Sequence, residues 1–412
     1  MSKNQQIKES LIKTRLRRES QVCKVFELKI QSNKLNNKQK YFLNKLFLEA
    51  KWIYNDIISF NDLTNYNTKK KKVKVLNKEK EEELRELEVI GSQIKQELLQ
   101  RTWTSIKALS SKKKRNNKIG KLKYKCQINS IPLKQYGYTY KFINNRLKLQ
   151  KCKSLFYVKG LEQIPKNVEF ANANLIKKPS GYYMHVICYF DKEKQNNSKE
   201  VVGIDFGIKN DLTLSNGIKF QTKFPITNKI KQEQRKLSKK IKGSNNYRKQ
   251  KNKVGLIYEK LTNRKKDVKN KIVSYLKNNY SHIAIQDENI KGWHSGLFGK
   301  QVQQSIMGGI ISEIKKLPQT SIVDRYFPST QLCNKCGLLN KISLSDRIYN
   351  CRCGYSKDRD VHSSYNILLE SLPMERREFT PVKFNTSALD NLRLSSASMN
   401  IESGRYDSSE LC

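Results

Sequence analysis

The stretch Val201-Val202-Gly203-Ile204-Asp205-Phe206-Gly207-Ile208-Lys209-Asn210 decides how the second half of this chain folds. Val201 to Phe206 is a short, nearly continuous apolar run, the pattern of a strand buried on both faces, and it carries an acid near its end. The segments that follow keep an α/β grammar. Leu212-Thr213-Leu214 and Ile218-Lys219-Phe220 flank a Ser215-Asn216-Gly217 turn, which predicts a hairpin. A basic helical stretch follows, with ten Lys/Arg between positions 228 and 251. It continues through Val254, Ile257, Leu261, Val268, Ile272 and Leu276 at helical spacing. His282-Ile283-Ala284-Ile285 predicts another strand, residues 302–317 another helix and Ser321-Ile322-Val323 a further strand.

Upstream the pattern differs. Residues 1–24 read as a basic, loosely ordered leader, and Val25-Phe26-Glu27-Leu28-Lys29-Ile30 alternates like a half-buried strand. From Asn37 the period lengthens: Phe42, Leu46, Ala50, Ile53 and Ile57 mark one face of a helix. A basic loop at 69–72, a second amphipathic helix with Leu84, Leu87, Ile94 and Leu98 on its apolar side, and a basic loop at 112–115 complete a helical block. Residues 121–200 return to strands, among them 155–158 and 182–190, the latter preceded by a Pro179-Ser180-Gly181 turn. A strand before and several after a helical block predict a β-barrel with a helical insertion at about 37–115. The polar segment 192–199 reads as a linker, and the Ser-rich stretch beyond 371 as a flexible tail.

Composition narrows the partners. The chain has 412 residues, long enough for two or three domains. Its 82 Lys+Arg against 37 Asp+Glu leave a net charge of +45, and self-repulsion of that size fits a polyanionic partner. A hydrophobic content of 37% excludes wholesale disorder. No stretch approaches the roughly 18 consecutive apolar residues of a membrane span. The opening MSKNQQIKESLIKTRLRRES lacks the apolar segment of a secretion signal, so the expectation is an intracellular protein.

Three acids sit where a metal site could be built. Asp205 lies in the first strand of the α/β part, Glu288 just past the strand at 282–285, and Asp360 at the start of a predicted short helix. A lone acid in such a chain is ordinarily a surface charge or a helix cap. Three in strand–strand–helix context are different, because an acid in an apolar strand needs a counter-charge and a metal supplies one. Hard oxygen ligands suit Mg²⁺, and two such ions can serve phosphodiester hydrolysis. Asp287 and Asp358, their neighbours, compete for the assignments.

Nine cysteines in a reduced compartment are not a disulfide framework. Cys23, Cys126, Cys152, Cys188 and Cys412 are scattered and read as small hydrophobes or surface bystanders. Cys333-x₂-Cys336 and Cys351-x-Cys353 instead form two knuckles, each followed by a glycine, Gly337 and Gly354. Four thiolates suit a structural tetrahedral Zn²⁺. His362 could replace Cys351 or Cys353 if the tight C-x-C pair cannot chelate with both sulfurs.

Taken together, GIDFGIKN, the Lys/Arg-rich helices, IAIQDENIKG, VDRYFPSTQLCNKCG, CRCGYSKDRD and VHSSYNI resemble TnpB, the RNA-guided nuclease family of insertion sequences, and its compact type V CRISPR (Cas12f-like) descendants. The resemblance covers most of the chain, with residues 25–58 similar to the family's opening strand and helix and Glu375-Arg376-Arg377-Glu378 to its tail. It implies an α+β multidomain protein: a wedge β-barrel at 25–200 with an inserted helical recognition lobe, then an RNase H-like (RuvC) α/β nuclease domain at 201–370 holding a zinc ribbon at about 329–357. By motif position it implies Asp205, Glu288 and Asp360 as catalytic Mg²⁺ ligands and Cys333, Cys336, Cys351 and Cys353 as Zn²⁺ ligands. It further implies a guide RNA from the chain's own locus, a double-stranded DNA target read beside a short flanking motif, one protein monomer per RNA, and a bacterial cytoplasmic, nucleoid-associated location. There are two departures. The family's usual D-x-N-A-A-x-N-I appears as Asp360-Val361-His362-Ser363-Ser364-Tyr365-Asn366-Ile367, and the second knuckle is one residue short. Neither removes a candidate carboxylate.

Candidate phosphate contacts are the segments 69–74, 112–125 and 229–251. Tyr136, Tyr138 and Tyr140 could stack on bases, although a period-two tyrosine set is more often barrel wall. Two other readings stand beside the guided nuclease. One is an RNA-guided repressor that binds without cutting; the other is a guide-independent RNase H-like nuclease or transposition accessory. The three acids disfavour the first and the long basic N-terminal half the second.

Overall fold

The computed structural model describes residues 3–60, 62–77, 81–191, 200–343, 345–372 and 400–403. The chain divides into two compact units, Met1–Glu193 and Lys194–Cys412. The expected linker at 192–199 lies outside the described residues, as does the expected tail at 371–412 apart from its first two residues and a strand at Asn400–Ser403.

In the first unit, helix α1 (Lys3–Glu19) precedes strand β1 (Gln21–Ile30). The leader expected to be loose is therefore helical, and the strand starts four residues earlier than Val25. Arg17 and Arg18 pair with Glu169, and the Arg18 guanidinium lies 3.5 Å above the Tyr189 ring, which ties the helix end to the sheet. Helix α2 (Asn37–Ser59) opens with a capping box in which the Asn36 side chain and the Gln39 backbone and side chain bond reciprocally. Its apolar stripe, Phe42 to Ile57, is buried as the periodicity requires.

The second helix expected of the insert begins later than its apolar pattern indicated. Strands β2 (Lys72–Leu76) and β3 (Glu82–Glu86) pair antiparallel as the arms of a hairpin, and α3 runs over Ser92–Lys114. Cross-strand pairs Lys72–Glu86 and Lys74–Glu82 favour the hairpin over the helix that Glu and Leu residues would otherwise support. Leu84 is exposed in consequence. The basic segment at 112–114 is the last turn of α3 rather than a loop, where lysines oppose the helix's negative end.

Six more strands follow: β4 (Ser130–Leu133), β5 (Tyr140–Ile143), β6 (Arg146–Leu149), β7 (Leu155–Lys159), β8 (Glu169–Lys178) and β9 (Gly181–Asp191). They join β1 in a seven-stranded antiparallel sheet ordered β4-β8-β9-β1-β7-β6-β5. Tyr140 is buried within it and Tyr136 stacks on Phe170 at 4.6 Å, which makes both of them wall residues, while Tyr138 is exposed.

The second unit is built on a six-stranded mixed sheet. Strand β10 (Val201–Asp205) is followed by the expected hairpin, β11 (Leu212–Leu214) and β12 (Ile218–Gln221). Helices α4 (Asn228–Ser238) and α5 (Asn245–Asn279) then lead to β13 (His282–Gln286). Helix α6 (Ile290–Ser295) precedes α7 (Gly299–Gln304) and α8 (Met307–Ile314). These last two replace the single helix expected at 302–317, with the break at Ser305, whose hydroxyl accepts from the Met307 N–H, ahead of the poor helix formers Gly308 and Gly309. Strand β14 (Thr320–Val323), the small hairpin β15 (Ile348–Asn350) and β16 (Ser356–Asp358), helix α9 (Arg359–Ser371) and β17 (Asn400–Ser403) complete the unit.

The sheet order is β14-β13-β10-β11-β12-β17. β10, β13 and β14 run parallel, so their C-terminal ends share one edge, while β11 and β12 run antiparallel beside them. Helix α9 lies directly on β10. A Cβ on Gly203 would fall 1.9 Å from the Ser364 carbonyl oxygen and 2.8 Å from the Leu368 Cβ, so only glycine admits the helix this close.

Candidate functional site

The parallel register fixes where the acids go. Ile204 pairs with Ile285, so Asp205 and Glu288 both emerge at the C-terminal edge of the sheet. Asp360 joins them from the first turn of α9, the helix seated on β10. All three are partly buried. Burial, followed by the charges of Asp360 and Glu288, pushes the Asp205 carboxyl up to about 8, against opposing contributions from a Ser363 hydrogen bond and Arg359. Burial also raises Glu288, with Arg325 and Lys315 countering. Asp360 carries an ion pair to Arg359 at 3.3 Å. Asp205 thus carries the least compensated charge of the three, and a bound cation would favour its ionised form.

The two competing acids are engaged elsewhere. Asp287 turns to Lys315 at 2.6 Å and to Arg325, and the Lys315 bond leads in holding its carboxyl below the usual range. Asp358 caps α9, accepting from the Asp360 and Val361 N–H groups at 3.1 Å each, and pairs with Lys219 at 2.8 Å.

Among the described residues, Cys333, Cys336, Cys351 and Cys353 form the group able to hold a metal, with all four sulfurs within 4.8 Å of one another. Cys333 and Cys353 Sγ lie 3.7 Å apart, and Cys336 and Cys351 Sγ 3.5 Å apart. A tetrahedral ion with metal–sulfur bonds of about 2.3 Å sets sulfurs near 3.8 Å apart, so the donors fit. The short C-x-C knuckle therefore contributes both of its sulfurs. Each knuckle closes on a glycine in the left-handed region, Gly337 at φ +74° and Gly354 at φ +83°. The Cys353 backbone N–H leads in drawing the Cys351 thiol down to about 6, with Asn340 assisting, so the sulfur is disposed to be a thiolate.

His362 takes no part in that set. It is fully buried on α9, lies face to face with Tyr349 at 3.8 Å and bonds the Leu332 carbonyl through Nε2 at 2.9 Å. Burial holds its imidazole down at about 4, which keeps it neutral. Sequence reasoning gave no role to Gly203, Gln286 or Ser329, and read Asn366 only as a position of the family motif. Gly203 left a signal of its own, a glycine interrupting an apolar strand.

The basic segments separate once their partners are known. Lys70 pairs with Asp56, Lys72 with Glu86 and Lys74 with Glu82, so much of the charge at 69–74 is neutralised within the fold. Lys229, Lys231, Arg235, Lys239, Lys240, Lys242, Arg248, Lys249 and Lys251 on and between α4 and α5 are exposed. Beside α3, an open groove of about 1020 Å³ is lined by Arg101, Lys121, Lys123, Tyr124 and Lys125 among others. No described helix is long and apolar enough to cross a membrane.

Comparison with known proteins gives two family matches. Residues 184–294 match the OrfB_IS605 model, described as a probable transposase, and residues 318–367 match the Cas12f1-like TNB domain. The first span includes Asp205 and Glu288; the second includes the four cysteines and Asp360. A Streptomyces pristinaespiralis protein named "Putative RNA-guided DNA endonuclease" is 26% identical over 249 residues, covering 56% of this chain and 60% of its own length. The "Putative RNA-guided DNA endonuclease InsQ" of Escherichia coli (strain K12) is 27% identical over 199 residues, 42% of this chain and 49% of its own. The chain thus spans about half to three-fifths of the curated relatives it matches. A solved structure described as "Cryo-EM structure of the Cas12f1-sgRNA-target DNA complex" aligns over 66% of this chain and 70% of its own at 15% identity, with a TM-score of 0.37. Over these spans the chain is similar to TnpB-like and Cas12f1-like proteins.

Proposed function

We propose that this TnpB/Cas12f-like chain is an RNA-guided DNA endonuclease whose single RuvC-type site is built from Asp205, Glu288 and Asp360. One observation carries the reading. In a chain of net charge +45, three partly buried carboxylates lie at the C-terminal edge of a mixed sheet, where burial and then the neighbouring charges of Asp360 and Glu288 raise Asp205. Three parallel strands beside an antiparallel hairpin, with a helix laid on the first strand, support the RNase H-like assignment.

Asp205, Glu288 and Asp360 would hold two Mg²⁺ ions, which supply charge stabilisation at the attacking and leaving oxygens of phosphodiester hydrolysis. The chain's own groups orient the carboxylates. Arg359 pairs with Asp360, and the Asp358 cap fixes the helix turn that presents Asp360. The four cysteines would hold a structural Zn²⁺. The exposed cations of α4 and α5 and the groove beside α3 would contact phosphates of a guide RNA and its DNA heteroduplex, leaving sequence choice to base pairing and a short target-adjacent motif. The two halves would then divide the work between a wedge with its recognition insert and a nuclease with its zinc ribbon, one protein per RNA, acting in the bacterial cytoplasm.

The test begins with RNA that co-purifies when the protein is made with its flanking DNA. One structured species with a variable end is expected, and programming that end should direct Mg²⁺-dependent cleavage. Asp205→Ala should abolish cleavage and leave RNA binding intact. Wild-type cleavage by that variant would remove the catalytic assignment, and cleavage without RNA would remove the guide.

A further inference from the structure

The buried face of α9 joins the cysteine cluster to the acidic cluster, and any coupling between the two rests on the metal-binding role proposed for each. Leu332, the residue before Cys333, presents a carbonyl that accepts from His362 Nε2 at 2.9 Å and from Asn366 Nδ2 at 2.7 Å. A carbonyl only accepts, so Nε2 carries the imidazole hydrogen, and Nδ1 is buried without a partner. Asn366 Nδ2 also reaches the Ser329 carbonyl at 2.8 Å. One end of the first knuckle is therefore bolted to α9 by two side chains one helical turn apart.

A second route arrives from the other knuckle. Asn340 Nδ2 donates to Cys351 Sγ at 3.3 Å and to Tyr349 Oη at 2.7 Å, and the Tyr349 ring is the one stacked on His362. Both routes converge on His362, two residues from Asp360. On the far side, Ser363 Oγ lies 3.0 Å from Ser329 Oγ, which donates to Gln286 Oε1 at 2.9 Å. Gln286 closes β13 two residues before Glu288, and the Ser363 hydroxyl lies beside Asp205. The segment 329–333 thus touches α9, which carries Asp360, and the end of β13, which leads to Glu288.

We propose that His362 and Asn366 are positioning residues that couple the two clusters: metal held by the four cysteines fixes the register of α9 against β10 and β13, and so sets the affinity of the acids for a divalent cation. The coupling is reciprocal by linkage, with cation at the acids tightening metal at the cysteines by the same factor. Groups that orient ligands in this way typically change metal affinity about 10–100-fold when removed.

The experiment titrates Mn²⁺ into the full-length protein with one zinc per chain, following free Mn²⁺ by electron paramagnetic resonance. The acid site is defined as the binding lost in Asp205→Asn. Cys336→Ser, which empties the cysteine cluster, should weaken that site about 10–100-fold. His362→Ala should do the same while zinc stays at one per chain, and His362→Asn, which restores a donor toward Leu332, should recover most of the loss. Tyr349→Phe keeps the ring stack and removes the Asn340 bond, so it tests the second route in a chain that folds, with a smaller loss expected. Unchanged Mn²⁺ affinity in Cys336→Ser, or in His362→Ala and Tyr349→Phe with zinc retained, overturns the coupling and leaves the acid site standing. Absence of any Mn²⁺ binding that Asp205→Asn removes overturns the metal reading of the acids, and the coupling with it.

Discussion

Gly203→Ala asks most directly whether the seat of α9 on β10 assembles the acid cluster. The added Cβ would stand 1.9 Å from the Ser364 carbonyl oxygen, 2.8 Å from the Leu368 Cβ and 2.9 Å from the Leu368 backbone nitrogen. Two of these three are backbone atoms, so no rotamer change clears the clash. Restoring even a 3.0 Å approach from 1.9 Å needs a shift of about 1.1 Å between helix and strand. Overpacking of a rigid core costs about 1–3 kcal/mol, and a backbone clash belongs at the top of that range. Reduced chain entropy in the unfolded state returns about 0.4–1 kcal/mol, which leaves the sign unchanged. For a unit of roughly two hundred residues, a net loss of about 2 kcal/mol lowers the melting temperature by about 4–8 °C. Function should suffer more. Asp205 lies two residues from Gly203 on the strand and Asp360 four residues before Ser364 on the helix, so the displacement falls between two candidate ligands. A misplacement of about 1 Å can cost about 100-fold in rate. Calorimetry and guided cleavage at saturating Mg²⁺ read the two effects separately. A variant that melts with the wild type and cleaves within twofold of it would refute the claim that this contact sets the site.

Other regions give independent tests. Glu49 is fully buried and accepts from the Glu88, Val89 and Ile90 backbone N–H groups, so Glu49→Gln should cost the first unit about 3 kcal/mol in urea unfolding while zinc content stays unchanged. Gln250 and Lys236, with Lys253 beyond them, hold the Glu233 carboxyl down at about 2 from 4.5. Because the folded value is the lower one, this contribution is complete above pH 4.5 and is lost as pH falls toward 2. Melting of Glu233→Gln should accordingly be flatter than wild type across that window. Replacing Lys240, Arg248 and Lys249 by Ala should weaken RNA binding evenly across sequences and flatten its salt dependence by about 0.7 per lost phosphate contact on single strands.

Which features were legible in the sequence depends on how local their causes are. The strands at 201–205 and 282–286 and the hairpin between 212 and 221 announced themselves through apolar runs and a Ser-Asn-Gly turn. The α2 stripe was equally clear, because burial on one helix face imposes a period. The strand pair β2–β3 was not, since its cross-strand ion pairs and the burial of Val73 are partners that a single-strand pattern does not display. Asp287 and Glu288 could not be ranked from position alone, and the partners that occupy Asp287, Lys315 and Arg325, lie 28 and 38 residues away. The cysteine spacing identified all four sulfurs but left His362 as an alternative, and only its ring stack and carbonyl bond remove it.

The two departures from the usual family pattern meet in space. One is the shortened knuckle, Cys351-x-Cys353; the other is His362-Ser363-Ser364 after Asp360. Cys351 is bonded by Asn340, which bonds Tyr349, which stacks on His362, while the Tyr355 ring just beyond the knuckle lies 5.6 Å from the same imidazole. A large flat ring at position 362 fills the space between two aromatic side chains, and its single hydrogen goes to the one carbonyl in reach. Ser363 donates to Ser329, a bond that an alanine methyl would not make. The changes at 351–353 and 362–364 therefore form one packed and hydrogen-bonded arrangement rather than two separate lesions. Reverting His362 alone to Asn would leave Tyr349 and Tyr355 facing a void of about half a ring. Lost stability of about 1–3 kcal/mol is the expected result, even if the amide restores the bond to Leu332.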